Sequence, residues 1–413
     1  MTEGASVAPM SRPYDVLLFG ATGFTGRLVA DYLARNAVGL RWAIGGRNPS
    51  KLEEVKASLG DRGKELDVLR ADSGSVEDLE KIVAKARVVC TTVGPYAKYG
   101  HKLASACAAH GTHYCDITGE THFVRASIDQ NDARARETHA RIVHCCGFDS
   151  IPSDLGALLL ADHARERHGD KLARARFVLM RMRGGASGGT IASMLNILEE
   201  AESNRSLRRL MADPYALSPD RAHDLDLDGA DQATVAWDEE AHVWTGPFVM
   251  AAINTRVVRR SNALLGHLYG ARFRYGESMA FGPGPAGFAK AATFTAGLGA
   301  FLVAASRKGP RAVLARWLPK PGEGPSREQR EAGYFKIRFF AETEGARRLR
   351  ARVEGTSDPG YGETAKMLAE SALCLAEGSF AWKEGGVLTP AVAMGQHLVA
   401  RLRSAGMTLE VEG

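Results

Sequence analysis

The chain has only six cysteines among 413 residues (Cys90, Cys107, Cys115, Cys145, Cys146 and Cys374). They form no CxxC pair and no Cys/His spacing of the kind that holds zinc, so neither a disulfide scaffold nor a metal site is expected. Free thiols in a reducing compartment are. The histidines make no HExxH and no serine sits in GxSxG, which removes two common hydrolase signatures. Strong charge of one sign is also missing: 53 Lys+Arg against 48 Asp+Glu leave +5, too little over this length for a nucleic-acid partner. The opening MTEGASVAPMSRPYD lacks a basic start followed by an apolar run, so no signal peptide and a cytoplasmic location are expected. No internal repeat is visible. What is plentiful is glycine, with 45 residues against 16 prolines, a large stock of positions for tight turns and close backbone approach to a ligand. With 45% hydrophobic and 24% charged residues the chain is globular, neither disordered nor polytopic, and its length implies two or three domains.

Apolar runs alternate with helical patterns over the first 150 residues, as in βαβ units on a parallel sheet. Strands are expected at 14–20, 40–47, 66–72, 86–94, 113–118 and 140–148, and helices at 25–36, 49–59, 75–85, 99–110 and 123–139. Right-handed crossovers then make a Rossmann-type, doubly wound α/β sheet. After residue 151 the rhythm is mixed, with strand-like 175–184, 252–261 and 334–345, a helix near 190–203 and loops at 213–247 and 319–332. This divides the chain into a dinucleotide-binding domain (1–155), an inserted α+β substrate or dimerisation domain (156–385) and a C-terminal segment (386–413) that folds back on the first domain.

The most specific motif is Gly20-Ala21-Thr22-Gly23-Phe24-Thr25-Gly26, set between a buried strand and the start of a helix. Gly20 permits the turn, Gly23 lets backbone approach a pyrophosphate, Gly26 lets helix and strand pack, and the helix N-terminus supplies amides. An NAD site carries an acid about twenty residues further on. Here the second strand ends in Gly45-Gly46-Arg47, and Arg47, with Lys51 one turn later, suits a 2′-phosphate, so NADPH is expected. Asp72 either bonds the adenine or caps the next helix.

Ligands in such sheets lie at the carboxyl ends of the strands near the order reversal. That brings Thr91 to Tyr96, including Gly94, and the loop Gly147-Phe148-Asp149-Ser150 to the site. Tyr96 is the leading proton donor, with packing at the domain interface as its other reading. Asp149 and Ser150 orient the substrate, and the amides at Ser187 to Thr190 hold an acyl carbonyl or form a plain turn. Asp224-Leu225-Asp226-Leu227-Asp228-Gly229 opens like a calcium loop, but Val235 stands where the bidentate glutamate belongs, so a solvated acidic loop is expected and no metal.

The run 286–306 has one charge, Lys290, over 21 residues. Its Ala and Gly content favours a buried or surface-packed helix, then an interfacial segment, and last a membrane span. Arg307, Lys308, Arg311, Arg316 and Lys320 follow with no acid among them, as suits a peripheral contact with anionic lipid or an acidic partner.

Taken together, GATGFTG (20–26), GGR (45–47), GPYAKYG (94–100), YCDITGE (114–120), GFDSIPSDLG (147–156), SGGTIASMLN (187–196) and GGVLTPAVAMGQHLVARL (385–402) resemble the saccharopine dehydrogenase-like oxidoreductases, in the branch of trans-acting enoyl reductases. The resemblance covers nearly the whole chain. It implies an NADPH-dependent reduction of an α,β-unsaturated acyl thioester on a carrier domain in lipid or polyketide biosynthesis, by a cytoplasmic protein peripheral to the inner face of the plasma membrane. A homodimer is compatible with it. It transfers no catalytic residue. Amine or imine chemistry and a non-catalytic nucleotide-binding protein stay open at this point, while a sugar-nucleotide epimerase lacks its Tyr-x-x-x-Lys pair.

Overall fold

Strand β1 (Tyr14–Phe19) reads YDVLLF and is buried over its last four residues, the pattern of a strand covered on both faces. In the computed structural model, which describes residues 12–185, 188–221, 224, 228–314, 324–378, 380 and 382–412, the same rhythm continues. Helices α1 (Phe24–Asn36), α2 (Pro49–Ser58), α3 (Val76–Val83), α4 (Tyr96–Tyr99), α5 (His101–His110) and α6 (Thr121–Glu137) alternate with β2 (Trp42–Gly46), β3 (Asp67–Arg70), β4 (Ala86–Thr91), β5 (His113–Asp116) and β6 (Arg141–Val143). Two of these helices start at side-chain caps, where Asn48 and Ser75 accept amide hydrogens from Lys51 and Asp78, while Gly23 leaves α1 without one.

The second half of the chain adds α7 (Ile151–His168), β7 (Leu172–Arg183), α8 (Gly188–Ser203), α9 (Arg205–Ala212), β8 (Ala236–Asp238), β9 (Val243–Pro247) and α10 (Ala251–Leu264). It continues with β10 (Arg274–Gly282), α11 (Gly284–Ala305), α12 (Lys308–Leu314), α13 (Arg327–Glu331), β11 (Tyr334–Thr343), β12 (Arg348–Gly355) and α14 (Thr364–Glu377). The tail is β13 (Gly386–Leu388), α15 (Pro390–Ala393), α16 (Gly395–Ser404) and β14 (Thr408–Glu412). Among the described residues these strands make two seven-stranded sheets. The first is parallel throughout, in the order β13-β6-β5-β4-β1-β2-β3. Its order reverses between β1 and β4, where a doubly wound sheet opens a crevice at its carboxyl edge. The second, β14-β12-β11-β7-β10-β9-β8, is antiparallel except for β7 beside β10.

The tail joins both sheets, β13 beside β6 and β14 beside β12, and α14 packs on α1, β4 and β5 of the first sheet. α7 closes tightly on the second, where a Cβ at Gly156 would meet the Phe339 ring at 2.3 Å.

Three local expectations fail. Residues 252–261 belong to helix α10 rather than a strand. Val257, Val258, Arg256, Arg259 and Arg260 are all buried, so the helix is covered on all sides and shows no amphipathic period. The arginines are tolerated because each has acceptors: Arg256 takes Asp231, Arg259 takes Asp228 (2.7 Å), and Arg260 takes the carbonyls of Leu217 (2.8 Å) and Val387 (2.6 Å). Second, the stretches expected as loops hold β8, β9 and α13, the last begun by a capping box of Ser326 and Gln329. Third, Asp228 is not solvated: it is buried against Arg259 and also accepts the Tyr275 amide at 3.2 Å. Leu225, Asp226 and Leu227 of that motif lie outside the described residues.

The apolar run forms α11, but the helix is not buried. Of its described residues only Gly287, Ala291 and Ala305 are, and it rests on β9 and β10, next to the edge strand β8, with most of its surface open.

Candidate active site

The glycine loop separates three steric duties. Gly20 sits at φ +95°, and a Cβ there would strike Val93 Cγ2 at 2.7 Å. At Gly26 a Cβ would lie 2.2 Å from the Gly20 carbonyl oxygen and 2.9 Å from Ala21 Cα, so the helix could not close on the strand. A Cβ at Gly23 would meet nothing nearer than 3.6 Å. Its smallness serves no packing, and it leaves room for a ligand at an uncapped helix N-terminus with no acid in its first turn, as an anionic phosphate requires. Gly20, Thr22, Gly23, Phe24, Thr25 and Gly26 all line one cavity of about 800 Å³.

Arg47, at the end of β2, is exposed and makes no hydrogen bond or ion pair among the described residues. Lys51 is exposed too, its amide held by Asn48 Oδ1 at 3.1 Å. Neither lines the cavity, and both stand free beside the glycine loop's sheet edge. Asp72 instead has local work: its carboxylate accepts the Gly74 amide at 2.8 Å, forming a turn just before Ser75 caps α3. It does not cap the helix, and its other carboxylate oxygen keeps no bond among the described residues.

Gly94 and Tyr96 line the same cavity from the loop after β4. The Tyr96 phenol, however, donates to the Thr91 carbonyl at 3.2 Å and accepts the Ile117 amide at 3.4 Å, and burial pushes it well above the ordinary phenol range. Its proton is committed to the backbone, so its expected role as proton donor is corrected to a packing and loop-fixing one. Ser150 is likewise turned away: it is fully buried, donates to Asn254 Oδ1 at 3.0 Å and does not line the cavity. Behind it Asn254 donates to Glu277 (2.9 Å), which also accepts the Tyr275 hydroxyl (2.8 Å).

Asp149 differs from both. It lines the cavity at the loop between β6 and α7 and makes no hydrogen bond to any described residue. Its Oδ2 lies 3.5 Å from where a side chain at Gly119 would begin, so the glycine opens the carboxyl to the cavity. Burial alone pushes it up to about 7, because a low-dielectric wall disfavours the charged form. A carboxyl so placed is suited to carry a proton near neutrality.

Glu120 was not singled out from the sequence. It is buried and accepts the amides of Tyr96 and Ala97, each at 2.9 Å, and the Ser193 hydroxyl at 2.8 Å, tying the loop after β4 to α8. Its only signal was an acid at the carboxyl edge of β5 in YCDITGE. Beneath the floor, Asp116 holds His144 Nδ1 at 2.7 Å while His144 Nε2 meets Ser127 Oγ at 2.8 Å. All three are buried away from the cavity, so this Ser-His-Asp set locks β5 to β6 and α6 and attacks nothing. Tyr361 is a further residue the sequence did not flag. Its ring packs edge-on to Phe24 of the glycine loop, centroids 4.7 Å apart, and its hydroxyl accepts the Gly188 amide at 3.0 Å. That occupies one of the amides expected to hold an acyl carbonyl; Ser187 lies outside the described residues.

Residues 16–143 match the saccharopine dehydrogenase NADP binding domain family. A Mycobacterium tuberculosis protein provisionally named a trans-acting enoyl reductase is 44% identical over 419 aligned residues, covering 97% of each chain. A trans-acting enoyl reductase of Mycobacterium bovis is 40% identical over 417, covering 98% of this chain and 99% of its own. Among solved structures, the saccharopine dehydrogenase (L-Glu forming) of Saccharomyces cerevisiae matches with a TM-score of 0.54 and 14% identity, over 96% of this chain and 99% of that one. That likeness is one of fold. NADPH is the cofactor, and the uncapped N-terminus of α1, the open space at Gly23 and the unpaired Arg47 fit it.

Proposed function

The chain belongs to the saccharopine dehydrogenase-like family, in the branch of trans-acting enoyl reductases, and from that premise we propose that it reduces the α,β double bond of an acyl thioester presented by a carrier domain. It is an NADPH-dependent oxidoreductase. The observation that carries the proposal is the unpartnered Asp149 carboxyl, held to about 7, in the same cavity as the glycine loop. When bound, NADPH supplies a hydride to the β-carbon, which leaves an enolate needing a proton at the α-carbon. Asp149 gives that proton, becomes a carboxylate and is reprotonated from water through the cavity mouth. Tyr96 and Glu120 keep the loop after β4 in place and take no proton. The test is NADPH oxidation with a 2-enoyl thioester and, in parallel, with a 2-oxo acid plus amine. Formation of the saturated thioester is expected; turnover of the second pair alone would move the protein to amine or imine chemistry.

We further propose that it works in the cytoplasm, peripheral to an anionic membrane, through α11. The 18-residue apolar window of that helix is only 11% buried, Phe288 and Val303 are exposed, and no acid occurs between Glu277 and Glu323, a stretch carrying Lys290, Arg307 and Lys308. Co-sedimentation with phosphatidylserine vesicles should occur at low salt and be lost at high salt. Retention at any salt would indicate a span, and a vesicle-independent dimer would assign the face to a second copy.

A further inference from the structure

The cavity extends past the groups that reduction needs. From the glycine loop and Asp149 it continues between two helices, with Met194, Ile197 and Leu198 of α8 on one side and Leu298, Gly299 and Leu302 of α11 on the other. None of the ionisable residues of these helices, Glu199, Glu200, Glu202 or Lys290, lines it. The two carboxylates that do line the cavity sit on other elements: Asp149 before α7, and Asp231 tied to Arg256 and Thr255. Gly299 lies at the exposed rim, where a Cβ would meet nothing within 4 Å. The arm thus has largely apolar walls, broken by the Ser193 and Thr295 hydroxyls, and an open end, and one wall belongs to the exposed apolar helix.

We propose that this arm receives the hydrocarbon tail of the acyl thioester and that Gly299 keeps its rim open, so that the protein selects long acyl chains over short ones. The inference rests on the thioester reading above and adds to it the tail's chemistry and a residue that determines specificity. A volume of about 800 Å³ lies in the upper part of the range for sites that enclose a whole ligand, roughly 300–1,000 Å³; its glycine-loop end takes the cofactor, and the arm between α8 and α11 is left for the acyl group. The carrier's own arm is the poorer occupant. It bears two amides that would give up water for walls whose hydroxyls on α8 and α11 are only Ser193, already bonded to Glu120, and Thr295, whereas each methylene of a tail gains about fourfold in affinity when buried.

Two readouts on the full chain with cofactor bound keep this separate from the thioester reading. Saturated acyl-CoAs, which cannot be reduced, report binding alone by calorimetry. The matching 2-enoyl-CoAs report turnover. Palmitoyl-CoA should bind at least about a hundredfold more tightly than butyryl-CoA. Gly299→Phe, whose side chain enters free space, should weaken palmitoyl-CoA by about tenfold or more while leaving butyryl-CoA, NADPH binding and melting temperature unchanged. Ile197→Arg on the opposite wall should show the same length-selective loss. Affinity independent of acyl length, or Gly299→Phe weakening long and short chains equally, would overturn the proposal. So would a greater dependence on truncating CoA to pantetheine than on shortening the acyl chain. Length-selective binding without reduction of any enoyl-CoA would leave the channel standing and remove the reaction.

Discussion

The two ends of the cavity are built from different materials. The cofactor end is backbone: Gly20, Gly23 and Gly26 matter because a Cβ would strike the loop after β4 or the turn itself, or fill the space a phosphate takes, and all three come from one seven-residue turn. The substrate end is side chain, gathered from the loop before α7, from α8, from the start of α10 and from α11. A backbone site is specified by local sterics, so it is written in contiguous sequence. A side-chain site exists only once distant elements have packed.

The contrast is sharpest at Asp149. Asp149→Asn should lower kcat by about a hundredfold to ten-thousandfold, the usual contribution of a positioned general acid, with NADPH affinity unchanged in a calorimetric titration. In the wild type the donor is protonated below about 7, so kcat should fall as pH rises through that value, and the variant's residual rate should lack that limb. Stability falls with rising pH as well, but over a lower window. A carboxyl raised in the folded state from 3.8 to about 7 costs nothing below its unfolded pKa and destabilises progressively as pH rises between the two values. Asp149→Asn should therefore raise the melting temperature more at about pH 8 than at about pH 5. A loss of NADPH binding in this variant would erase the distinction between the two ends.

At the cofactor end, Gly26→Ala puts a Cβ 2.2 Å from the Gly20 carbonyl oxygen and should cost about 1–3 kcal/mol of stability together with cofactor binding. Gly23→Ala meets no such obstacle and should leave the melting temperature alone while weakening NADPH about tenfold. Thermal melts with and without NADPH separate the two; equal destabilisation would contradict the assignment of Gly23 to the ligand. Arg47→Ala should cost about 1.5–3 kcal/mol of NADPH binding, the range for a charge-assisted hydrogen bond, and nothing for NADH. The smallest effect belongs to Tyr96→Phe, which loses the bond to the Thr91 carbonyl: about 1 kcal/mol of stability, with kcat changed only a few fold. A large fall in kcat would restore Tyr96 as donor.

This difference also explains what could be read in advance. The parallel sheet, the glycine loop and the lone Arg47 follow from period, turn chemistry and an absent acid, all local. Helix α10 could not be read: burying Arg256, Arg259 and Arg260 against Asp231, Asp228 and two carbonyls erases the amphipathic pattern. Tyr96 and Ser150 were chosen for chemistry and chain position, which do not say where a hydroxyl points; Thr91 and Asn254 decide that. Glu120 bonds Ser193 as well as the nearer amides of Tyr96 and Ala97, and Tyr361 bonds Gly188; only packing brings these partners together, and an acid at the edge of β5 was too weak a mark to single out Glu120.

On the proposed reaction, hydride and proton reach neighbouring carbons from different walls of one cavity, the first from the glycine-loop side and the second from Asp149. Turnover of a 2-enoyl thioester with unlabelled NADPH in deuterated water, followed by mass and NMR analysis of the product, tests it directly. One deuterium at the α-carbon and none at the β-carbon, formed much more slowly by Asp149→Asn, is the predicted result. Deuterium at the β-carbon, or the same rate of α-labelling in the variant, would contradict it.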